Sequence, residues 1–280
     1  MRVLGVARLR LVSIVPLAMA FLASLPAAAQ QTVTRDGWEI SLTPYVWATA
    51  LKGDVAIGGV KAKVDADFND VLDNLNVAVM LEAELRKGRF GIISDTVFAQ
   101  LEDKTAEGQG RLETNATANM LIQTLAGTYR LGTWQLGDLG AAGPLAVTVD
   151  PYAGIRYTYL DNELKGQLDL PDLGIDDKRQ VQDDKQWVDP IVGLRTLWDL
   201  GERWSLRLTG DVGGISTTDQ YSAEAVGLVS YRFGLFGEDN ARLLGGYRVL
   251  KQKFEDGSGR NEFDWDMTIH GPVLGLQILF

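Results

Sequence analysis

The sequence predicts an all-β protein: a transmembrane antiparallel β-barrel of about ten strands, with short periplasmic turns and longer extracellular loops. Three observations carry that prediction. Apolar and polar residues alternate at period two along most of the chain, as they do when successive side chains of a strand point to opposite faces. Short turns alternate with longer, acidic connectors, which is the asymmetry of outer-membrane barrels. Aromatic residues of the apolar face gather near the two ends of the strands, as girdles bounding a lipid band do.

Composition narrows the function classes. The 280 residues include 31 glycines, 8 prolines, one histidine and no cysteine. Glycine well above the average of roughly 7% favours a turn-rich β protein. Without cysteine there is no disulfide framework, thiol catalysis or cysteine metal site, and one histidine leaves no paired-histidine site. The 27 basic against 37 acidic side chains argue against nucleic acid as a partner, which would call for a basic face.

Met1 to Ala29 reads as a secretory signal peptide. Arg2, Arg8 and Arg10 form a basic start, Leu11 to Leu25 an apolar stretch, and Ala27-Ala28-Ala29 a small-residue cleavage site. The competing reading, an uncleaved anchor, fits less well because the apolar part is short for a span. Cleavage leaves residues 30–280 as one domain with a formal charge of −13 (24 − 37). No later run of 18 apolar residues exists, so no transmembrane helix is expected.

Ten strand segments follow: about 38–51, 77–87, 89–101, 112–131, 145–160, 187–200, 203–215, 220–233, 241–254 and 261–280. In the first, Trp38, Ile40, Leu42, Pro44 and Val46 oppose Glu39, Ser41, Thr43, Tyr45 and Trp47. The third is ambiguous, with Ile92, Ile93, Val97 and Phe98 on both faces. The last changes phase, from Phe263, Trp265, Met267 and Ile269 to Leu274, Leu276, Ile278 and Phe280, which a β-bulge at Gly271-Pro272 would reconcile. Eight or twelve strands remain open, because Val55 to Val64 has room for a further hairpin.

The long connectors are Lys52 to Asn76, Glu102 to Arg111, Asp161 to Gln186 and Glu255 to Arg260; on the short-turn side only Gly132 to Pro144 is long. A lipocalin-like soluble barrel would turn its apolar face inward. The aromatics decide against it. Phe90, Trp198, Trp204, Tyr231 and Phe233 lie near the short-turn ends, and Tyr157, Tyr159, Tyr221, Phe263 and Trp265 near the long-loop ends.

Thr43-Pro44-Tyr45-Val46-Trp47-Ala48, the stretch Asp67 to Leu75, Gly245-Gly246-Tyr247-Arg248 and Gly271-Pro272-Val273-Leu274-Gly275 resemble a family of proteobacterial outer-membrane β-barrel proteins without assigned activity. The resemblance covers essentially the whole mature chain and implies location in the bacterial outer membrane, but no reaction. The last strand looks like the terminal assembly signal of such barrels, with Gly275, Ile278 and the aromatic Phe280, which implies the barrel-assembly machinery as a partner.

The polar face is densely charged. It sets Arg86, Arg156, Arg195, Arg207, Arg232, Arg242 and Arg248 against Glu39, Glu82, Glu84, Asp95, Asp150, Asp189, Asp211 and Glu224. Charges withdrawn from bulk water must be paired, and small barrels fill their lumen with side chains, so a structural salt-bridge network is expected. The alternative is a narrow pathway for small solutes.

Little else points to chemistry. His270 shares a face with Asp264, Asp266 and Thr268, but Asp266 is roughly 13 Å away along a strand, and a lumenal histidine in the polar core is expected instead. Asp65-Ala66-Asp67-Phe68-Asn69-Asp70 begins like a calcium loop and fails at its glycine and glutamate positions; Phe68 to Leu75 reads better as one or two helical turns packing into the barrel mouth. The acidic stretch 161–186 reads as a solvated loop, with bridging to lipopolysaccharide phosphates as its minor alternative. The expected protein therefore has no cofactor and no catalytic or metal residue, meets outer-membrane lipid and lipopolysaccharide, and is non-enzymatic. A narrow channel is the runner-up and an outer-membrane enzyme third. Mass spectrometry of the exported protein is expected to find its N-terminus at Gln30, or within a residue or two; an intact Met1 would contradict the export reading.

Overall fold

A computed structural model describes residues 37–57, 60–107, 112–170, 175–216, 218–235 and 238–280. The export segment 1–29 lies outside them. The strands are β1 (Trp38–Trp47), β2 (Ala50–Ile57), β3 (Val60–Ala66), β4 (Leu75–Lys87), β5 (Phe90–Glu107), β6 (Leu112–Tyr129), β7 (Gly132–Asp138), β8 (Pro144–Leu170), β9 (Ile175–Leu200), β10 (Trp204–Gly214), β11 (Gln220–Leu235), β12 (Glu238–Asp256) and β13 (Phe263–Leu279). A short helix, α1 (Phe68–Asp73), precedes β4.

Ten of these strands close a ring in the order β1-β4-β5-β6-β8-β9-β10-β11-β12-β13, and β13 pairs back onto β1 from Ser41↔Leu279 to Trp47↔Val273. The Phe280 N–H donates to the Ile40 carbonyl at 2.8 Å. A closed ladder leaves no open edge, the condition for crossing a bilayer with strands. Tracing paired residues round the ring from Glu39 through Arg86, Gly91, Thr128, Tyr152, Gly193, Asp211, Glu224, Leu250 and Ile269 arrives at Leu51, twelve residues further along the chain. Ten strands about 4.8 Å apart with that stagger tilt by about 40° and enclose a backbone cylinder of about 10 Å radius. So narrow a lumen is filled by side chains.

The outer face is apolar and wet only at its ends. Ile40, Val46, Val79, Leu85, Ile92, Leu125, Ile155, Val192, Leu194, Leu208, Val229, Leu243 and Leu274 are all exposed. Towards the long-hairpin end the band stops at a row of polar side chains: Asn76 donates to Gln100 at 2.9 Å, Gln100 to Asn119 at 2.8 Å and Asn119 to Asp161 at 3.3 Å. Within the band, Ser94, Thr96 and Gln123 face outward but satisfy one another, at 3.0 and 2.5 Å. This resolves the ambiguous third segment: Gly91, Ile93, Asp95 and Val97 face in, and Phe90, Ile92 and Phe98 face out.

Several expectations are corrected. The connectors 102–111 and 161–186 are mostly strand: β5 and β6 stay paired to Glu107↔Leu112, and β8 and β9 to Leu170↔Ile175, about 30 Å beyond Asp161 at ~3.3 Å per residue. Their sequences read as loops because the apolar–polar alternation fades there while the ladder persists. The connector Gly132 to Pro144 contains β7, which pairs with the first residues of β8. Between residues 52 and 76 lie part of β2, β3 and α1. The hairpin β2–β3 attaches to β13 and leaves the ring at ten, because β1 and β2 together follow β13. Pairing of β1 with β4 ends at Pro44↔Leu81, where proline supplies no N–H, and above it the Trp47 N–H meets the Met80 sulfur at 3.0 Å.

No bulge exists at Gly271-Pro272. The β12–β13 register runs unbroken from Ala241↔Ile278 to Asp256↔Phe263, and odd positions of β13 face inward from Phe263 to Gly275. What changes along this strand is the character of the interior, not the phase. Phe263 and Trp265 are therefore buried inside rather than part of an outer girdle, and His270 faces out, where its Nδ1 meets the Tyr247 hydroxyl at 2.7 Å. The acidic run before α1 is a capping box: Asp67 accepts from the Asn69 and Asp70 N–H groups, and Asp70 from the Asp67 N–H. The helix buries none of its residues, so it does not plug the barrel mouth.

Gly271 tests closure. A Cβ there would sit 1.9 Å from the Ala48 carbonyl oxygen, whereas one on Gly245 finds nothing nearer than 3.8 Å. Gly271→Ala is expected to destabilise by several kcal/mol and to abolish the compact species that unboiled barrels show on gels. Gly245→Ala should stay within about 0.5 kcal/mol.

Candidate functional site

The interior has two storeys. At the short-turn and middle levels it is polar, because most ring strands present charged alternate positions there, β13 with Val273, Gly275 and Gln277 being the exception. Asp150 on β8 is fully buried and takes Arg86 at 3.0 Å, Arg195 at 3.0 Å and Arg130 at 3.1 Å. Glu84 joins the same group, 2.7 Å from Arg86 and 2.8 Å from Arg195. Glu82 and Arg207 pair at 2.6 Å. A second group surrounds Arg156, also fully buried, which reaches Asp211 at 2.9 Å and Glu224 at 2.5 Å. Glu224 links it to Arg248 at 2.9 Å, and Arg248 to Asp95 at 2.8 Å. Two tyrosines complete this group: Tyr45 donates to Asp95 at 2.7 Å and Tyr152 to Asp211 at 2.9 Å. The planar guanidinium fork suits such shared, bidentate pairing.

Most of the charges read from the sequence thus meet across the lumen: Glu82, Glu84, Arg86, Asp150, Arg156, Arg195, Arg207, Asp211, Glu224 and Arg248. Asp189 does not join an ion pair; it is buried and accepts from the Gln220 amide at 2.9 Å. Gln220 also donates to the Val188 carbonyl, bridging β9 to β11 above the short β10. Arg232 stands opposite Arg242 across the β11–β12 ladder, and Arg242 finds only Gln277, at 3.4 Å. Arg130 was missed although it shares the even, inward phase of Thr124 and Thr128. Asp95 was seen as lumenal, but its link to Arg248 was not legible.

Nearer the long-hairpin end the interior is apolar, which the sequence reading did not anticipate. Trp47, Val97, Ile122, Leu160, Trp187, Leu250, Phe263, Trp265, Met267 and Ile269 form one buried cluster. Trp187 on β9 stacks on Phe254 of β12 with ring centres 4.6 Å apart. Beside them Lys185 pairs with Asp256 at 3.2 Å. These contacts reach across the lumen from β9 to β12. Open space lies below: a cavity of about 80 Å³ among Tyr45, Tyr152, Arg156, Asp211 and Glu224, and a vestibule of about 350 Å³ at the short-turn end, lined by Glu39, Arg86, Arg130, Asp199, Arg242 and Gln277 among others. Both touch Arg195 and Arg207. Among the described residues no group of three His, Asp or Glu side chains is placed to hold a metal ion.

No protein-family model matches the chain, and neither does any curated protein. Among solved structures, the outer membrane protease OmpT from Escherichia coli superposes with a TM-score of 0.54 at 10% identity, covering 88% of this chain and 98% of that one. The translocator domain of the autotransporter NalP from Neisseria meningitidis gives 0.39 at 12% identity, over 94% and 95% of the two chains. Ail, the attachment invasion locus protein of Yersinia pestis, gives 0.30 at 9% identity, over 88% and 99%. The first likeness shows the fold, an outer-membrane β-barrel, and nothing about activity.

Removing a carboxylate that three arginines share leaves buried positive charge uncompensated. Asp150→Asn is expected to cost about 3–5 kcal/mol in denaturant unfolding of detergent-folded protein. Glu82→Gln, whose pair is part-exposed, should cost clearly less.

Proposed function

We propose that the chain is an exported, non-enzymatic outer-membrane β-barrel protein whose interior is sealed towards the outside and open only as a vestibule to the periplasm. The observation that carries this reading is the apolar cluster, Trp187 on Phe254 with Trp47, Phe263 and Trp265 around it, above a lumen in which most charges are paired. A conducting pore needs a continuous wet path, and the apolar cluster stands across that path above the two spaces. A non-enzymatic role is supported by the position of the lone histidine, which faces outward against Tyr247, away from the charged interior. Outer-membrane location is supported by the closed ladder, the apolar outer band and the fold likeness. Within this reading lipid meets the apolar band, lipopolysaccharide borders the polar row at Asn76, Gln100 and Asn119, and the assembly machinery recognises the last strand. There Gly275 faces inward between Tyr45 and Leu244, while Ile278 and Phe280 share the outward phase of Leu274.

A gated channel is the second reading, favoured by the contact of both spaces with Arg195 and Arg207. Planar bilayers separate the two. The purified protein is expected to be silent, and Trp187→Ala with Phe254→Ala to introduce steady conductance. Conductance by the unaltered protein would overturn the sealed reading.

A further inference from the structure

Six of the inward arginines, Arg86, Arg130, Arg156, Arg195, Arg207 and Arg248, each have a carboxylate within 3.1 Å. Arg232 and Arg242 do not. They are direct cross-strand partners on β11 and β12, and no carboxylate among the described residues lies within 4.0 Å of either. Like charges directly opposite each other on a sheet repel, the more so where the barrel wall excludes part of the solvent. Everywhere else in this lumen the same repulsion is relieved by an Asp or Glu from a facing strand. Among the described residues Arg232 and Arg242 have none within ion-pair distance, and Asp199 acts on Arg242 only from farther off.

Arg242 sits where a ligand has access, with Arg232 directly beside it on the neighbouring strand. Arg242 lines the vestibule of about 350 Å³, large enough for a small solute with its waters, and this vestibule opens at the short-turn end. Glu39 and Asp199 line the same space without reaching either guanidinium. Gln277 and Ser230 add neutral hydrogen-bonding groups to the wall, and the Gln277 oxygen already holds one Arg242 nitrogen. Two adjacent forks of N–H donors with an open, polar approach match a tetrahedral oxyanion, whose several oxygens accept from both at once.

We propose that Arg232 and Arg242 form a phosphate-class anion site at the periplasmic mouth of the barrel. The anion supplies the close negative charge that the described residues do not bring to this point of the network. Its source is a free periplasmic phosphate or the phosphate of an inner-leaflet lipid headgroup, and the same two guanidinium groups serve both. The site does not depend on whether the barrel conducts.

The test is calorimetric titration of pyrophosphate into protein folded in a maltoside detergent at low ionic strength, then in the same micelles doped with phosphatidylglycerol. The variants are Arg232→Gln with Arg242→Gln, and Lys87→Ala as a control, since Lys87 lies outside over Trp38. Heat-dependent gel mobility reports whether each variant is folded. Saturable pyrophosphate binding that survives Lys87→Ala and weakens roughly tenfold or more in the double variant is expected. Binding of the doped lipid alone, lost in the same double variant, also supports the site and assigns the phosphate to a headgroup. No saturable binding of either probe, or binding that the folded double variant retains, would overturn it.

Discussion

The closed hydrogen-bond ladder is the constraint from which the other features of this molecule follow. Hydrocarbon offers no partner to a backbone N–H or C=O, so β13 has to return to β1 and every strand between has to hold its neighbours. The stagger of twelve residues over ten strands then sets the tilt and the radius, and the radius leaves no room for an empty lumen. Small residues stand where backbones crowd. A side chain at Gly271 would strike the Ala48 carbonyl, and one at Gly246 the Gly227 carbonyl, so two of the glycine motifs in the sequence are places where strands approach too closely for a Cβ.

A filled lumen admits two physical solutions, and this chain uses both, one above the other. In the lower storey most strands contribute charge, and stability depends on mutual compensation: burying Asp150 is tolerable only because three guanidinium groups converge on it. In the upper storey the same inward positions turn aromatic and aliphatic, and burial of apolar area stabilises them without partners. The apolar layer lies at the long-hairpin end, above the charged interior.

The outer surface obeys the opposite rule, apolar where it meets lipid and amide-rich where the lipid ends. Gln123 is instructive, because an amide facing hydrocarbon is costly unless its groups are bonded, and Ser94 and Thr96 on the neighbouring strand bond them. The same accounting explains Tyr247 and His270, two polar tips on the outer face that satisfy each other.

Period-two alternation was enough to place Ile40, Leu85, Val192 and Leu274 outside, Asp150 and Arg156 inside, and the closure of the last strand on the first, because each of these rests on the side-chain direction of a single strand. It was not enough for Phe263 to Ile269, since alternation marks which residues share a face but not whether that face meets lipid or lumen. The apolar stretch was assigned to lipid by analogy with the rest of the chain, and the phase change this required was explained by a bulge that does not exist. The limits of the strands were also hidden, as 102–107 and 161–170 lose their alternation while the ladder continues. The sequence by itself thus determined the barrel class, its membrane band and the identity of most lumenal charges, all of which follow from local periodicity and composition. Tertiary structure alone decided which charges meet, that Arg232 and Arg242 face each other without a carboxylate, and that Trp187 reaches Phe254, because those distances depend on the stagger of ten strands and bring together residues remote in sequence.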